Sequence, residues 1–292
     1  MNTAARLAPF ALSALLAACA SSGPSIPTTD ANGAPERIPT ELYKPEGPGP
    51  FPAVVLMHDC SGLGSRASGG PERWAKELVA HGYVVLLPDS FSTRGFPGGV
   101  CTDPSPGRNQ VNPRRRARDA YAALAYVQTL AYVDGTRVGL MGASHGGSTT
   151  LLAMLAHTDG EQRAQSRFSA AVALYPGCAG PNGNVVANST GAYQPLAPLL
   201  ILIGDRDDWS PAEPCRRLAD TAQKAGYPVA IKVYAGAYHA FDSSSPPRYV
   251  AARVNANSPT GRGATTGGNA EAWADSIREV EAFLGRHLAA NH

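Results

Sequence analysis

Charge is sparse in this 292-residue chain, and neither sign dominates. Charged residues make up 16% and the formal net charge is +2. No basic run is longer than Arg114-Arg115-Arg116, so nothing in the sequence points to nucleic acid. Cysteine is also scarce. The five cysteines form neither a CxxC pair nor a Cys/His cluster with zinc-ligand spacing, so no metal site is expected. After the first twenty residues, no stretch is long and apolar enough to span a bilayer as a helix. No internal repeat is present. Hydrophobic residues, at 43%, suffice for the sizeable core of an ordinary globular protein.

One apolar run does stand out, at the start. Residues 1–6 are short and carry one positive charge, and residues 7–18 (LAPFALSALLAA) have the length of a signal-peptide h-region. The run ends in Leu16-Ala17-Ala18-Cys19, which resembles the lipobox of bacterial lipoproteins. The expectation is a signal peptide over 1–18 and a lipid on Cys19. An ordinary secretory signal, with Cys19 incidental, is the other reading. Residues 19–36 are small, polar and rich in Pro and Gly, which predicts a flexible tether, with one domain over 37–292. The expected location is the bacterial cell envelope, on the periplasmic side of the outer membrane in a Gram-negative host, with the lipid as the only membrane contact.

Beyond the tether, apolar runs alternate with helical patterns. Strands are predicted at 52–57, 83–87, 137–141, 170–175, 199–203 and 229–234, and helices at 74–80, 113–133, 147–157, 211–225 and 270–288. Strands that are apolar throughout and separated by helices define an α/β domain with a mostly parallel sheet covered on both faces. Residues 90–112 and 242–268 fit no regular element. Both follow the C-terminal ends of strands, the side where such sheets bind ligands.

Gly142-Ala143-Ser144-His145-Gly146 matches G-x-S-x-G and stands between a strand and a helix, the context of a nucleophile elbow. Without partners it would be only a Gly-rich turn with an N-capping Ser. Partners are available in the chain order that such an elbow requires. His239, just after the last predicted strand, is the candidate base. Three aspartates, Asp205, Asp207 and Asp208, compete for the acid. Ser210-Pro211-Ala212-Glu213 reads as a capping box for the next helix, which leaves Asp207 free to serve the base. An oxyanion needs two backbone N–H donors; those of His145 and of Cys60, in the loop after residues 52–57, are the candidates. His58 and Asp59 are expected to stabilise that loop rather than hold a metal. Arg66 and Arg94 lie on candidate rim loops, where an anionic substrate or plain solvent would account for them.

Five motifs in order, PAVVLMHDCSGLG, YVVLLPDSF, RVGLMGASHGG, LLILIGDRDD and GAYHAF, resemble the dienelactone hydrolase family of α/β-hydrolases over roughly residues 38–288. The resemblance implies a single domain with an eight-stranded, mainly parallel sheet. It also implies hydrolysis of a small-molecule ester or lactone without a cofactor, and it favours Asp207, since the family pattern G-x-x-D puts its acid there. One departure matters: the founding members use a cysteine nucleophile beside an acidic residue, whereas here Ser144 holds that position and Asp59 resembles the acid. A serine hydroxyl depends on its base, so a general carboxylic-ester hydrolase acting through Ser144, His239 and Asp207 is expected. In the α/β-hydrolase strand order the strands before Cys60 and Cys101 are neighbours, as are those before Cys178 and Cys215. Disulfides Cys60–Cys101 and Cys178–Cys215 are therefore expected, with four buried thiols as the alternative. A catalytically silent envelope lipoprotein that uses the fold for binding is the competing reading of the whole chain.

Overall fold

The computed structural model describes residues 21–30, 32–155, 167–179 and 192–290. The signal segment, Cys19 and Ala20 lie outside the described residues. Eight strands form one sheet in the order β1-β2-β4-β3-β5-β6-β7-β8: β1 Ser21–Thr29, β2 Pro35–Tyr43, β3 Phe51–Met57, β4 Val84–Pro88, β5 Val133–Ala143, β6 Ala170–Leu174, β7 Leu199–Gly204 and β8 Val229–Tyr234. From β4 across to β8 the pairs are parallel, and β1 and β2 add an antiparallel edge. The central strands are apolar throughout because helices bury them from both sides; every residue of β4, β6 and β7 is buried. The helices are α1 Gly70–Ala80, α2 Pro113–Val127, α3 His145–Ala153, α4 Ala212–Lys224 and α5 Ala270–His287. None of them is long and apolar enough to cross a membrane. This is the α/β-hydrolase architecture.

The expected tether is in part a strand. Residues 21–29 pair with β2 as an edge strand, with a register shift between Gly23 and Ile26. Pro24 and Pro27 disguise it in the sequence, but proline is tolerated on an edge, where its missing N–H breaks no ladder. Ile26 is fully buried, so burial of one apolar side chain anchors a segment whose composition reads as loop. The Thr28 hydroxyl also donates to Asp119 on α2, at 3.0 Å.

The two irregular stretches have distinct structures. Residues 90–112 contain 3-10 turns at Ser92–Arg94 and Pro106–Val111. Residues 242–268 hold an antiparallel hairpin of β9 Arg248–Val254 and β10 Arg262–Thr266. Arg94 is not solvated and does not line the cleft of Ser144: its guanidinium is buried, bidentate to Asp119 and bonded to Glu36. Burial opposes its charge, and the two carboxylates restore and strengthen it. The site therefore sits in a crevice at the C-terminal ends of β3, β5, β7 and β8, roofed by the hairpin.

Candidate active site

The turn from β5 into α3 is strained. Ser144 has φ 54° and ψ −114°, a region that a residue with a Cβ rarely enters. Its N–H is held by the Leu174 carbonyl at 2.9 Å. The flanking glycines are sterically required: a Cβ on Gly142 would lie 2.3 Å from the Gly146 carbonyl oxygen, and one on Gly146 would lie 2.0 Å from that of Met57. The elbow thus presses the start of α3 against the end of β3 and lifts the serine hydroxyl into the crevice.

His239 and Asp207 meet this hydroxyl. His239 Nε2 is 2.8 Å from Ser144 Oγ, and its Nδ1 is 2.8 Å from Asp207 Oδ2. A carboxylate only accepts, so Nδ1–H donates to Asp207 and Nε2 accepts from the serine. Both His239 and Asp207 are buried, where a charge-assisted hydrogen bond is stronger than in water. Asp207 carries a second duty: its Oδ1 accepts from the N–H groups of Trp209 and Ser210, at 3.0 and 2.7 Å. The expected capping box is not formed, since α4 begins after Pro211 with no side-chain cap. Asp207 fixes the turn and orients the His239 ring at once. The competing acids are occupied elsewhere. Asp205 accepts from the Gly236 N–H at 2.7 Å, and Asp208 accepts from the Thr265 N–H and hydroxyl at 2.8 and 2.9 Å, tying β10 to the acid loop.

The loop after β3 is organised by its own polar side chains. Asp59 Oδ1 accepts from the N–H and hydroxyl of Ser61, and Oδ2 accepts from the Ser68 hydroxyl. His58 is wholly buried, with Nδ1 2.7 Å from the Asp59 carbonyl oxygen and Nε2 accepting from the Ser90 N–H. Among the described residues no backbone acceptor faces the Cys60 N–H. The His145 N–H, at the first turn of α3, has no intrahelical partner either. Asp59, Cys60 and Cys101 bring possible metal-ligand atoms within 4.8 Å of one another, but the two sulfurs are bonded to each other and offer no thiolate.

Both disulfides pair as expected, Cys60 with Cys101 and Cys178 with Cys215. The first pins the loop after β3 to the segment after β4 and closes 41 residues. A loop of that size should contribute roughly 3–4 kcal/mol. Replacing Cys60 and Cys101 together by Ser should lower the urea midpoint accordingly; a double variant as stable as wild type would show that the bridge does not form or does not constrain the unfolded chain.

Several groups of the crevice carry no motif in the sequence. The cleft, about 420 Å³, is lined by Ser144, His239, Asp59, Trp209, Tyr175 and Asp242, with Arg66, Arg248 and Arg253 at its polar side. The Trp209 ring packs 4.8 Å from that of His239, and the Arg253 guanidinium covers it at 4.9 Å. Tyr175, at φ 35°, meets the His239 ring edge-on with centroids 4.7 Å apart and donates its hydroxyl to the buried Asp242 carboxylate. The Trp74 indole N–H also donates there, at 2.8 Å. Burial raises the Asp242 pKa, with these two donors opposing it.

The sequence profile of the Dienelactone hydrolase family matches residues 38–287. The chain belongs to this family, and with it to the carboxylic-ester hydrolases that cleave esters and lactones. A Methylorubrum extorquens protein named as a carboxymethylenebutenolidase is 26% identical over 217 residues, 73% of this chain and 70% of its own length. The uncharacterized protein YcjY of Escherichia coli K12 is 36% identical over 100 residues, which span 34% of this chain but only 29% of that protein. The propionate-bound esterase 2 of Thermogutta terrifontis superposes with a TM-score of 0.62 at 17% identity, over 93% of this chain and 97% of its own. A dienelactone hydrolase-like promiscuous phosphotriesterase from metagenomic libraries gives 0.61 at 20% identity, over 93% and 99%. At these identities the structural likeness bears on the fold.

Proposed function

We propose that this chain hydrolyses carboxylic esters by acyl transfer to Ser144. The observation that carries the reading is the unbroken hydrogen-bonded chain Ser144–His239–Asp207, with both links at 2.8 Å. Ser144 Oγ attacks the ester carbonyl while His239 Nε2 takes its proton. The carbonyl oxygen becomes an oxyanion and turns to the N–H groups of Cys60 and His145. The intermediate collapses as His239 returns the proton to the leaving alkoxide, and water repeats the sequence on the acyl-enzyme. Asp207 keeps the proton on Nδ1 and stabilises the imidazolium. A lactone is cleaved in the same way, its ring oxygen leaving while still joined to the acyl group, and a relative named as a carboxymethylenebutenolidase brings lactones within the substrate range.

A series of p-nitrophenyl esters and a lactone panel, run beside a fluorophosphonate probe, tests the reading. Ester turnover and a covalent adduct mapped to Ser144 are expected. No turnover on any ester or lactone, with no adduct, would sink it. We further propose that the enzyme works at a bacterial envelope membrane through a lipid on Cys19, a reading supported by Leu16-Ala17-Ala18-Cys19 after the apolar run. The mature protein should begin at Cys19 and carry the mass of acyl chains; a mature chain that starts elsewhere would refute the anchor.

A further inference from the structure

Arg116, on α2, is wholly buried. Its helix neighbour Asp119 is taken by Arg94, and among the described residues no carboxylate forms an ion pair with Arg116. A buried cation without an ion-pair partner is costly, so the contacts that hold it are informative. Its Nη2 donates to the His58 carbonyl at 2.7 Å, at the end of β3. Its Nη1 lies 2.8 Å from His145 Nδ1, at the start of α3. A guanidinium only donates, so His145 accepts on Nδ1 and keeps its proton on Nε2. The Phe91 ring covers the guanidinium at 4.8 Å.

These two contacts fall on the two segments that supply the oxyanion donors. We propose that Arg116 is a positioning residue for ester hydrolysis, a clamp that joins the His58 carbonyl to the His145 ring and so sets the spacing of the Cys60 and His145 N–H groups. The proposal rests on the acyl-transfer reading above.

The clamp continues into the donor loop. The Ser90 N–H bonds His58 Nε2, so the His58 proton is on Nδ1 and points at the Asp59 carbonyl oxygen. That carbonyl belongs to the peptide whose nitrogen is Cys60 N. Hydrogen bonding at the oxygen polarises the amide and strengthens its N–H as a donor. Burial first, and then the Arg116 charge, hold the pKa values of both His58 and His145 well below the usual imidazole range. Both rings therefore stay neutral, as the bonding pattern requires. Burial lowers the pKa of Arg116 itself to about 9, opposed by Asp119 and Asp59, and it remains cationic near neutral pH.

Arg116→Gln and Arg116→Lys, assayed in the full-length mature protein with p-nitrophenyl acetate and a trifluoromethyl ketone inhibitor, test the clamp. A displaced donor costs roughly 10²-fold, so Arg116→Gln should lose kcat on that order while KM changes little. Its affinity for the ketone, whose adduct places an oxyanion in the same hole, should fall in proportion to kcat/KM. Arg116→Lys, which reaches one acceptor but not both, should be intermediate. A folded Arg116→Gln enzyme with wild-type kcat would overturn the proposal, as would lost turnover with unchanged ketone affinity. Should Arg116→Gln fail to fold, His145→Ala carries the test together with Arg116→Lys, since it removes the ring contact and keeps the backbone donor. His145→Ala should lose turnover, and adding Arg116→Lys to it should lose little more; fully additive losses would overturn the clamp. Failure of the acyl-transfer reading looks different: wild type would be inactive or would form no Ser144 adduct.

Discussion

Ser144→Ala should lower kcat by about 10⁶-fold, the scale seen when a triad nucleophile is removed, and should leave the fold in place. The change removes a single hydroxyl, which bonds His239, and keeps the Cβ, so it leaves little space behind. The backbone strain at φ 54° persists with alanine, which keeps the change in stability small. A residual rate of roughly 10³–10⁴ over water should remain, because the oxyanion donors do not depend on the hydroxyl. Circular dichroism and the urea midpoint check the fold, p-nitrophenyl ester turnover checks the rate, and fluorophosphonate labelling should vanish. Retention of more than a small fraction of wild-type turnover would place the nucleophile on another residue and dissolve the proposed mechanism.

The sheet was readable from sequence for a physical reason. A strand buried on both faces leaves an uninterrupted apolar run, and 52–57, 83–87, 170–175 and 199–203 each became a central strand. Strands that escape this signature are those not buried on both faces. β1 is an edge strand with two prolines, and the strands of the β9–β10 hairpin, rich in Ala and Arg, bury few of their residues. Ser144, His239 and Asp207 were legible because each sits at a fixed offset from a strand end, and in the structure His239 hydrogen-bonds Ser144 on one side and Asp207 on the other. Tyr175, Trp209 and Asp242 had no such offset pattern. Their place around His239 arises from tertiary packing alone, and a local motif does not encode it. Arg116 was hidden for another reason: in a run of three arginines on a helix start, solvation is the default reading, and only the fold reveals that this one faces the interior.

Asp207→Asn should be nearly inactive, with turnover reduced by up to roughly 10⁴-fold, while Asp205→Asn and Asp208→Asn stay close to wild type. The argument is one of donors and acceptors. Asp207 uses both oxygens as acceptors, Oδ2 for His239 Nδ1–H and Oδ1 for the N–H groups of Trp209 and Ser210. Asparagine has one acceptor oxygen and one NH₂ donor. If the oxygen stays with the two backbone donors, the NH₂ faces Nδ1, which must then give up its proton. The proton moves to Nε2, and the ring has nothing left with which to receive the serine proton. If the amide flips, the NH₂ points at two N–H groups, the turn loses its cap, and the acid loop loosens beneath His239. The other two sites lack this conflict. Asp205 accepts from a single backbone N–H, which an amide oxygen serves equally well. At 208 the amide oxygen can keep the Thr265 N–H, and the NH₂ can donate to the hydroxyl oxygen that now donates to the carboxylate. Steady-state rates for the three asparagine variants on one p-nitrophenyl ester decide the matter. A dead Asp208→Asn beside an active Asp207→Asn would show that the loop presents a different acid to the base during turnover.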